Sequence, residues 1–140
     1  IKFLAMKKSF SIGFSAMVLG LFLTSCNNDD NYDTIESVDR IKIDSVRIIN
    51  DTMDVFTVQS IKTYSTYPSH CQGFYGYDYI HSDNLTRNVT AYKYITDGPC
   101  TQSSYTAASQ INFSPQQKGT YTFKFWNGDN SWITKTIVVE

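Results

Sequence analysis

The sequence predicts an all-β domain over residues 40–140, an antiparallel β-sandwich of about seven strands. β-Branched and aromatic residues dominate this part of the chain, and turn-forming residues interrupt them at short intervals. An apolar period of 3.6 residues, the mark of an amphipathic helix, does not persist over a useful length. With 140 residues, the chain has room for one such domain.

The predicted strands are runs of apolar or aromatic residues bounded by turn-formers. In chain order they cover residues 41–48, 56–64, 73–81, 88–96, 109–114, 121–125 and 131–139. The first strand is interrupted at Asp44-Ser45, and the second is expected to contain a bulge because its alternation slips. The third and fourth form a long hairpin. Pro115 ends the fifth, and an Asn127-Gly128-Asp129-Asn130 turn joins the last two.

A corner between two strands is indicated by residues 111–121, where a short strand and Pro115 are followed by Gly119-Thr120-Tyr121. This pattern resembles the E–F corner of immunoglobulin-like domains, where a tyrosine hydroxyl bonds to upstream backbone. The resemblance implies that role for Tyr121 and an immunoglobulin-like sandwich. A small β-barrel is the alternative fold.

The first 25 residues differ in character from the rest. Residues 9–23 carry no charge and follow three lysines, a pattern typical of a secretory signal peptide with an apolar helix. Met6 is the expected start of translation. The alternative is a retained N-terminal membrane helix, for which the apolar stretch is short.

The residues after this apolar stretch carry a second signal. Leu23-Thr24-Ser25-Cys26 resembles the lipobox of bacterial lipoproteins. The resemblance implies cleavage before Cys26 and acylation of Cys26, which would anchor the chain in a membrane. Residues 26–39 are polar and acidic, and they predict a flexible, disordered tether. The acidic run after Cys26 also resembles the surface-export signal of Bacteroidetes-type lipoproteins. It implies display on the outer-membrane surface, with a periplasm-facing location as the alternative.

Three triplets of Asp, then Ser or Thr, then an apolar residue resemble the O-glycosylation site of Bacteroidetes secreted proteins. The acceptors would be Thr34, Ser45 and Thr52. Removing the three lysines of the signal peptide from 12 basic residues leaves 9 against 13 acidic ones, a net charge of −4. The chain has no basic patch for phosphates, so we expect no nucleic-acid partner.

Cys71 and Cys100 are the cysteines that remain once Cys26 is acylated. An even pair in an exported domain predicts a disulfide. A hairpin register in which paired residue numbers sum to 171 places these cysteines opposite each other, pairs Asp78 with Lys93, and puts the turn at 83–88. A redox role is the alternative, although the chain lacks a C-x-x-C motif.

The same register places five tyrosines on one face of the hairpin. They are Tyr75, Tyr77, Tyr79, Tyr92 and Tyr94. Tyrosine rings with polar tips suit sugar stacking or protein contacts, so this face is a candidate binding surface. The alternative is that the rings form the core side of the hairpin.

The residues show no catalytic constellation. A nucleophilic pair of His70 and Cys71 would need a free thiolate, and Cys71 is predicted to be oxidised. The other histidine, His81, lies near the hairpin tip. Asp129 lies in a turn sequence, and a turn explains it better than a calcium site does. We therefore expect no enzyme, cofactor or metal. The leading hypothesis is a lipid-anchored, non-enzymatic binding or accessory module for a glycan or an envelope protein. The alternatives are a structural or assembly subunit of an envelope complex and an inhibitor of a hydrolase.

Overall fold

The computed structural model describes residues 34–140, so the predicted signal peptide and the lipidation site Cys26 lie outside the described residues. No helix in this region is long and apolar enough to cross a membrane. The strands of the described region are β1 (Ile35–Ile41), β2 (Ser45–Ile48), β3 (Thr52–Met53), β4 (Gln59–Tyr67), β5 (Gln72–His81), β6 (Thr86–Thr96), β7 (Tyr105–Phe113), β8 (Gly119–Trp126) and β9 (Trp132–Val139).

These strands form two sheets around one apolar core. The smaller sheet has the order β2-β4-β7 and is antiparallel throughout. The larger sheet has the order β1-β6-β8-β9-β3, and β5 pairs with the remaining edge of β6. The predicted all-β sandwich is confirmed, with nine strands among the described residues. It is not fully antiparallel, because β6 pairs with β8, and β3 with β9, in parallel.

Aromatic and branched side chains from both sheets fill the core. Phe123 and Phe125 of β8 are fully buried, and Phe113 of β7 packs against Phe123 with ring centroids 4.9 Å apart. The Tyr77 hydroxyl of β5 lies 2.6 Å from Thr63 Oγ1 of β4, which joins the sheets through a polar contact. Burying one phenylalanine side chain contributes about 1.5–3 kcal/mol, so this layer is a major source of stability.

Strand β6 organises the larger sheet because it has three partners. β5 pairs with it along nearly its whole length. On the other edge, β8 pairs with residues 86–89 and β1 pairs with residues 91–96. The two strands thus share one edge of β6 end to end.

β1 begins at Ile35, inside the segment that the sequence predicts to be a flexible tether. The tether boundary at residue 39 is therefore wrong. The backbone of β1 pairs with β6, but six of its seven side chains are exposed and only Ile41 is buried. The Arg40 guanidinium lies 4.5 Å from the centroid of the Trp126 ring. A strand held mainly by backbone pairing leaves no hydrophobic pattern in the sequence.

The second predicted strand is displaced along the chain and has no bulge. β4 pairs with β7 residue by residue without a register shift. Phe56 and Val58, which the sequence places in this strand, are exposed in the preceding loop. Phe56 has a left-handed φ of 62°, and its amide donates to the Pro115 carbonyl at 2.9 Å. The alternation slips there because the strand has not yet begun.

The β5–β6 hairpin forms, but the predicted register is wrong. Each β5 residue faces a β6 residue nearer to the turn, so that Asp78 lies opposite Thr90 and Lys93 lies opposite Phe74. The register also shifts at Tyr75, which forms a bulge. The physical cause is a shorter turn over residues 82–85, in which the Asp83 carboxylate accepts the Leu85 amide at 2.8 Å.

The Cys71–Cys100 disulfide is confirmed, with the Cα atoms 5.5 Å apart. It is not a rung of the hairpin as predicted, because Cys71 precedes β5 whereas Cys100 lies in the loop after β6. Backbone hydrogen bonds accompany it, from His70 to the Thr101 carbonyl and from Thr96 to the Cys71 carbonyl, each 2.9 Å long. The loop is thereby fastened to the start of β5.

The last hairpin and the tyrosine corner match the sequence prediction. The Asn127 amide donates to the Ser131 carbonyl at 2.9 Å across the β8–β9 turn, where Gly128 has a φ of 100°. The Tyr121 hydroxyl donates to the Gln117 carbonyl at 2.9 Å. The predicted role of Tyr121 is confirmed.

We expect the double variant Cys71→Ser/Cys100→Ser to lose about 3–4 kcal/mol of unfolding free energy. The disulfide joins residues 29 positions apart, and its removal enlarges the conformational freedom of the unfolded chain. Denaturant titration of the variant and the oxidised wild type measures the difference. A loss below about 1 kcal/mol would show that the hydrogen bonds alone hold the loop.

Candidate functional site

The structure does not bring the five predicted tyrosines to one face. Tyr77 and Tyr79 lie opposite the buried residues Ala91 and Val89, so they face the core. Phe74 joins them on this side, with its ring centroid 4.7 Å from that of Tyr77. For these two tyrosines, the alternative of a core position holds.

The other three tyrosines lie elsewhere. Tyr92 and Tyr94 alternate with Ala91 along β6 and therefore occupy the opposite face of the sheet. Tyr75 lies at the bulge and is 58% exposed. The prediction of a single ladder is wrong, because it depended on a register without the bulge.

The remaining predicted sites fall on scattered surface positions. Thr34, Ser45 and Thr52 are all exposed, and their glycosylation stays a prediction. Asp129 lies in the β8–β9 turn, where its carbonyl accepts the Trp126 indole N–H at 3.0 Å. Within residues 34–140, no group of three or more His, Cys, Asp or Glu side chains could hold a metal ion.

An aromatic stack closes the disulfide end of the sandwich. The Tyr105 ring stacks between Tyr67 and His70, with centroid distances of 5.2 and 4.7 Å. The Tyr105 hydroxyl donates to the Gln72 carbonyl and so links β7 to β5. Burial raises the pKa of Tyr67 to about 12, and the neighbouring tyrosines Tyr105, Tyr77 and Tyr94 add to the shift. This stack joins the sheets.

A concavity lies at the other end of the sandwich, between the edge strands β5 and β7. It has a volume of about 550 Å³. Its walls come from the end of β5, the hairpin turn, the start of β6, the end of β7 and the loop into β8. The lining residues are Tyr79, His81, Asn84, Arg87, Ile111, Asn112, Phe113, Ser114, Pro115, Gln116, Gln117 and Tyr121. We call it the distal cleft.

Arg87 is the most unusual residue of the distal cleft, because its side chain is only 7% exposed. Its Nη1 donates to the carbonyls of Asp83 and Asn84 at 3.1 Å and to that of Thr86 at 3.2 Å. The guanidinium carbon lies 5.3 Å from the centroid of the Tyr121 ring. Its Nε is buried and has no hydrogen-bond partner among the described residues.

Two titratable groups near this guanidinium, the Tyr79 hydroxyl and the Asp83 carboxyl, have shifted pKa values. Burial raises the pKa of the Tyr79 hydroxyl, and the Arg87 charge opposes that shift. The amide of Leu85 and then the hydroxyl of Thr86 hold the pKa of the Asp83 carboxyl below its usual value. The Asp83 carboxylate is thus ionised and directed at its own turn.

The distal cleft offers recognition chemistry. Amide side chains supply paired donors and acceptors, tyrosine rings supply flat apolar surface, and the arginine supplies one positive charge. The cleft is not apparent from the sequence, because the predicted hairpin register places Arg87 in the turn at 83–88. One feature of the sequence indicates the position of Arg87. It is separated from the apolar residues Val89 and Ala91 by two and four positions, so in a strand all three lie on the same, inner face of β6.

Comparisons with family models, with curated proteins and with solved structures found no match.

We expect stability to fall above pH 10 in a way that depends on Tyr67, which is 1% exposed. The unfolded tyrosine ionises near pH 10, whereas the folded one stays protonated until about pH 12. Over that interval the unfolded state binds fewer protons, so the free energy of unfolding decreases by up to about 1.4 kcal/mol per pH unit. Tyr67→Phe removes this contribution and should make the decrease shallower.

Urea titrations of both proteins between pH 9 and pH 12 measure the two slopes. Parallel curves would show that the Tyr67 hydroxyl ionises equally in the folded and unfolded states.

Proposed function

We propose that the chain is a lipid-anchored, non-enzymatic binding module on the outer surface of a bacterial outer membrane, with a glycan as its ligand. The lipobox-like Leu23-Thr24-Ser25-Cys26 and the acidic residues after it support the anchor and the location. The structural observation on which the proposal depends is the position of the distal cleft relative to the strand through which the chain enters the domain.

That entry strand is β1, and its first residue, Ile35, pairs with Thr96 at the end of β6. Arg87 lies near the beginning of β6 and lines the distal cleft. The ends of this strand are about 30 Å apart at the usual rise per residue. The described chain therefore begins at the end of the domain opposite the cleft, which supports a cleft that faces away from an anchor at Cys26.

The lining of the distal cleft suits a carbohydrate. Sugar rings present hydroxyls that amides bind and C–H faces that tyrosine rings cover. Asn84, Gln116 and Gln117 supply exposed amides, and the half-buried Tyr79 supplies a ring, whereas Tyr121 is buried behind Arg87. The described lining contains no aspartate or glutamate, whereas glycoside hydrolysis needs a pair of carboxyl groups. This composition favours binding over hydrolysis.

A second candidate, a subunit that docks on an envelope protein, is favoured by one separate feature. Ile49, Phe56 and Val58 are exposed in the segments before β3 and β4, and Phe56 is 75% exposed. Large exposed apolar side chains close together in the chain often mark protein contacts. This candidate predicts a fixed protein partner and no glycan ligand.

The full chain, kept soluble in a mild non-ionic detergent, should bind a member of a broad glycan panel. Asn84→Ala and Gln116→Ala should each weaken that binding by about fivefold to tenfold, the loss of one hydrogen bond. Gln102→Ala is the matched control, because Gln102 is an exposed amide at the disulfide end. Isothermal titration calorimetry measures the affinities.

No binding to any glycan, together with co-purification of one envelope protein, would replace the glycan proposal by the second candidate. Equal losses in the cleft variants and in Gln102→Ala would place the binding surface outside the distal cleft.

A further inference from the structure

Arg87 is a buried charge that forms no salt bridge within residues 34–140, although the Asp83 carboxylate interacts with it at longer range. The buried polar or charged side chains of the described region are Thr63, Ser65, Ser69 and Arg87. The ion pair within residues 34–140 joins Lys42 and Asp44 at 3.9 Å, away from Arg87. Removing a guanidinium from water is costly, and proteins usually compensate with a carboxylate. In the described region, the groups hydrogen-bonded to Arg87 Nη1 are neutral carbonyls.

The contacts of Arg87 fix its position but leave part of its hydrogen-bonding capacity unused. The bonds to the carbonyls of Asp83, Asn84 and Thr86 all start at Nη1. Nε has no partner. The guanidinium is thus anchored on the hairpin turn through Nη1, and the Tyr79 hydroxyl hydrogen-bonds to the same side chain. An anion that enters the cleft can bind the guanidinium N–H groups that the turn leaves unused, because charged N–H groups make strong hydrogen bonds to carboxylates.

The surroundings of Arg87 favour an anion for a second reason. The described lining of the distal cleft has no acidic side chain, so the acid that interacts with Arg87 is Asp83, in the adjoining turn. The nearest carboxylate in sequence, that of Asp83, is occupied by the Leu85 amide at 2.8 Å and the Thr86 hydroxyl at 3.0 Å. An incoming anion would therefore meet a positive charge in a partly desolvated site, where the interaction is strong.

We propose that the distal cleft is a subsite for a carboxylate-bearing sugar, with Arg87 as the residue that binds the carboxylate of a uronic acid. The proposal rests on the proposed function and specifies its ligand class. A uronic acid combines the two chemistries that meet in the cleft. Its carboxylate matches the guanidinium, and its hydroxyls match the amides of Asn84, Gln116 and Gln117.

The test compares acid and ester forms of the same oligosaccharides on the full chain in a mild non-ionic detergent. Trisaccharides of galacturonate, glucuronate and mannuronate are titrated by calorimetry, each beside its neutral methyl ester. We expect at least one acid form to bind about tenfold or more tightly than its ester, a difference of the size of one good charge-assisted contact. This comparison needs no variant, so it decides even if Arg87 cannot be replaced without unfolding.

Two variants then assign the preference to its residue. Arg87→Gln should abolish the difference between acid and ester, while Arg47→Gln should preserve it, because Arg47 is exposed on β2 at the opposite edge of the smaller sheet. Circular dichroism checks that each variant is folded.

Equal binding of acid and ester, or binding of neutral glycans alone, would overturn the uronate proposal and leave the glycan-binding function intact. Binding of no glycan at all would overturn both. A folded Arg87→Gln variant that keeps the preference would also overturn the proposal, since Arg87 would then serve only to brace the hairpin turn.

Discussion

The division of one edge of β6 between two strands is the constraint on which the rest of the structure depends. β8 occupies residues 86–89 in parallel and β1 occupies residues 91–96 in antiparallel. The change of partner occurs where β8 ends, and there Arg40 of β1 stacks on Trp126. Because β1 takes the far half of this edge, its first residue, Ile35, lies at the disulfide end of the domain. The other half of this edge pairs with β8 and contains Arg87, whose side chain forms part of the wall of the distal cleft.

Local features of this fold could be predicted from the sequence, because they depend on neighbouring residues. The β8–β9 hairpin has its turn residues between two alternating strands, and the Tyr121 bond spans four positions. The Cys71–Cys100 pair follows from setting Cys26 aside as the lipidated residue, which leaves two cysteines in an exported domain. The β5–β6 register could not be predicted, because the bulge at Tyr75 and the short turn at 82–85 have no distinctive pattern. β1 was missed because backbone pairing, rather than side-chain burial, holds it.

The candidate site was beyond sequence prediction for a related reason. The distal cleft is assembled from the ends of β5, β6 and β7, which the fold brings together from distant parts of the chain. The tyrosine content suggested recognition, but the structure assigns Tyr77 to the core and Tyr92 to the other face of the sheet. What remains is a polar and aromatic cleft around one buried arginine, at the end of the domain opposite the entry strand. A stable sandwich does not require such a charge, which is why we propose that Arg87 contacts a ligand.

Uronate binding at Arg87 is tested most directly by following its side-chain Nε–H resonance in the full chain by NMR during titration with trigalacturonate. This resonance should shift strongly, together with the side-chain amides of Asn84, Gln116 and Gln117, while signals at the disulfide end stay in place. A titration that leaves Arg87 unchanged, or that shifts only exposed lysines, would show that Arg87 is only a structural support of the β5–β6 turn.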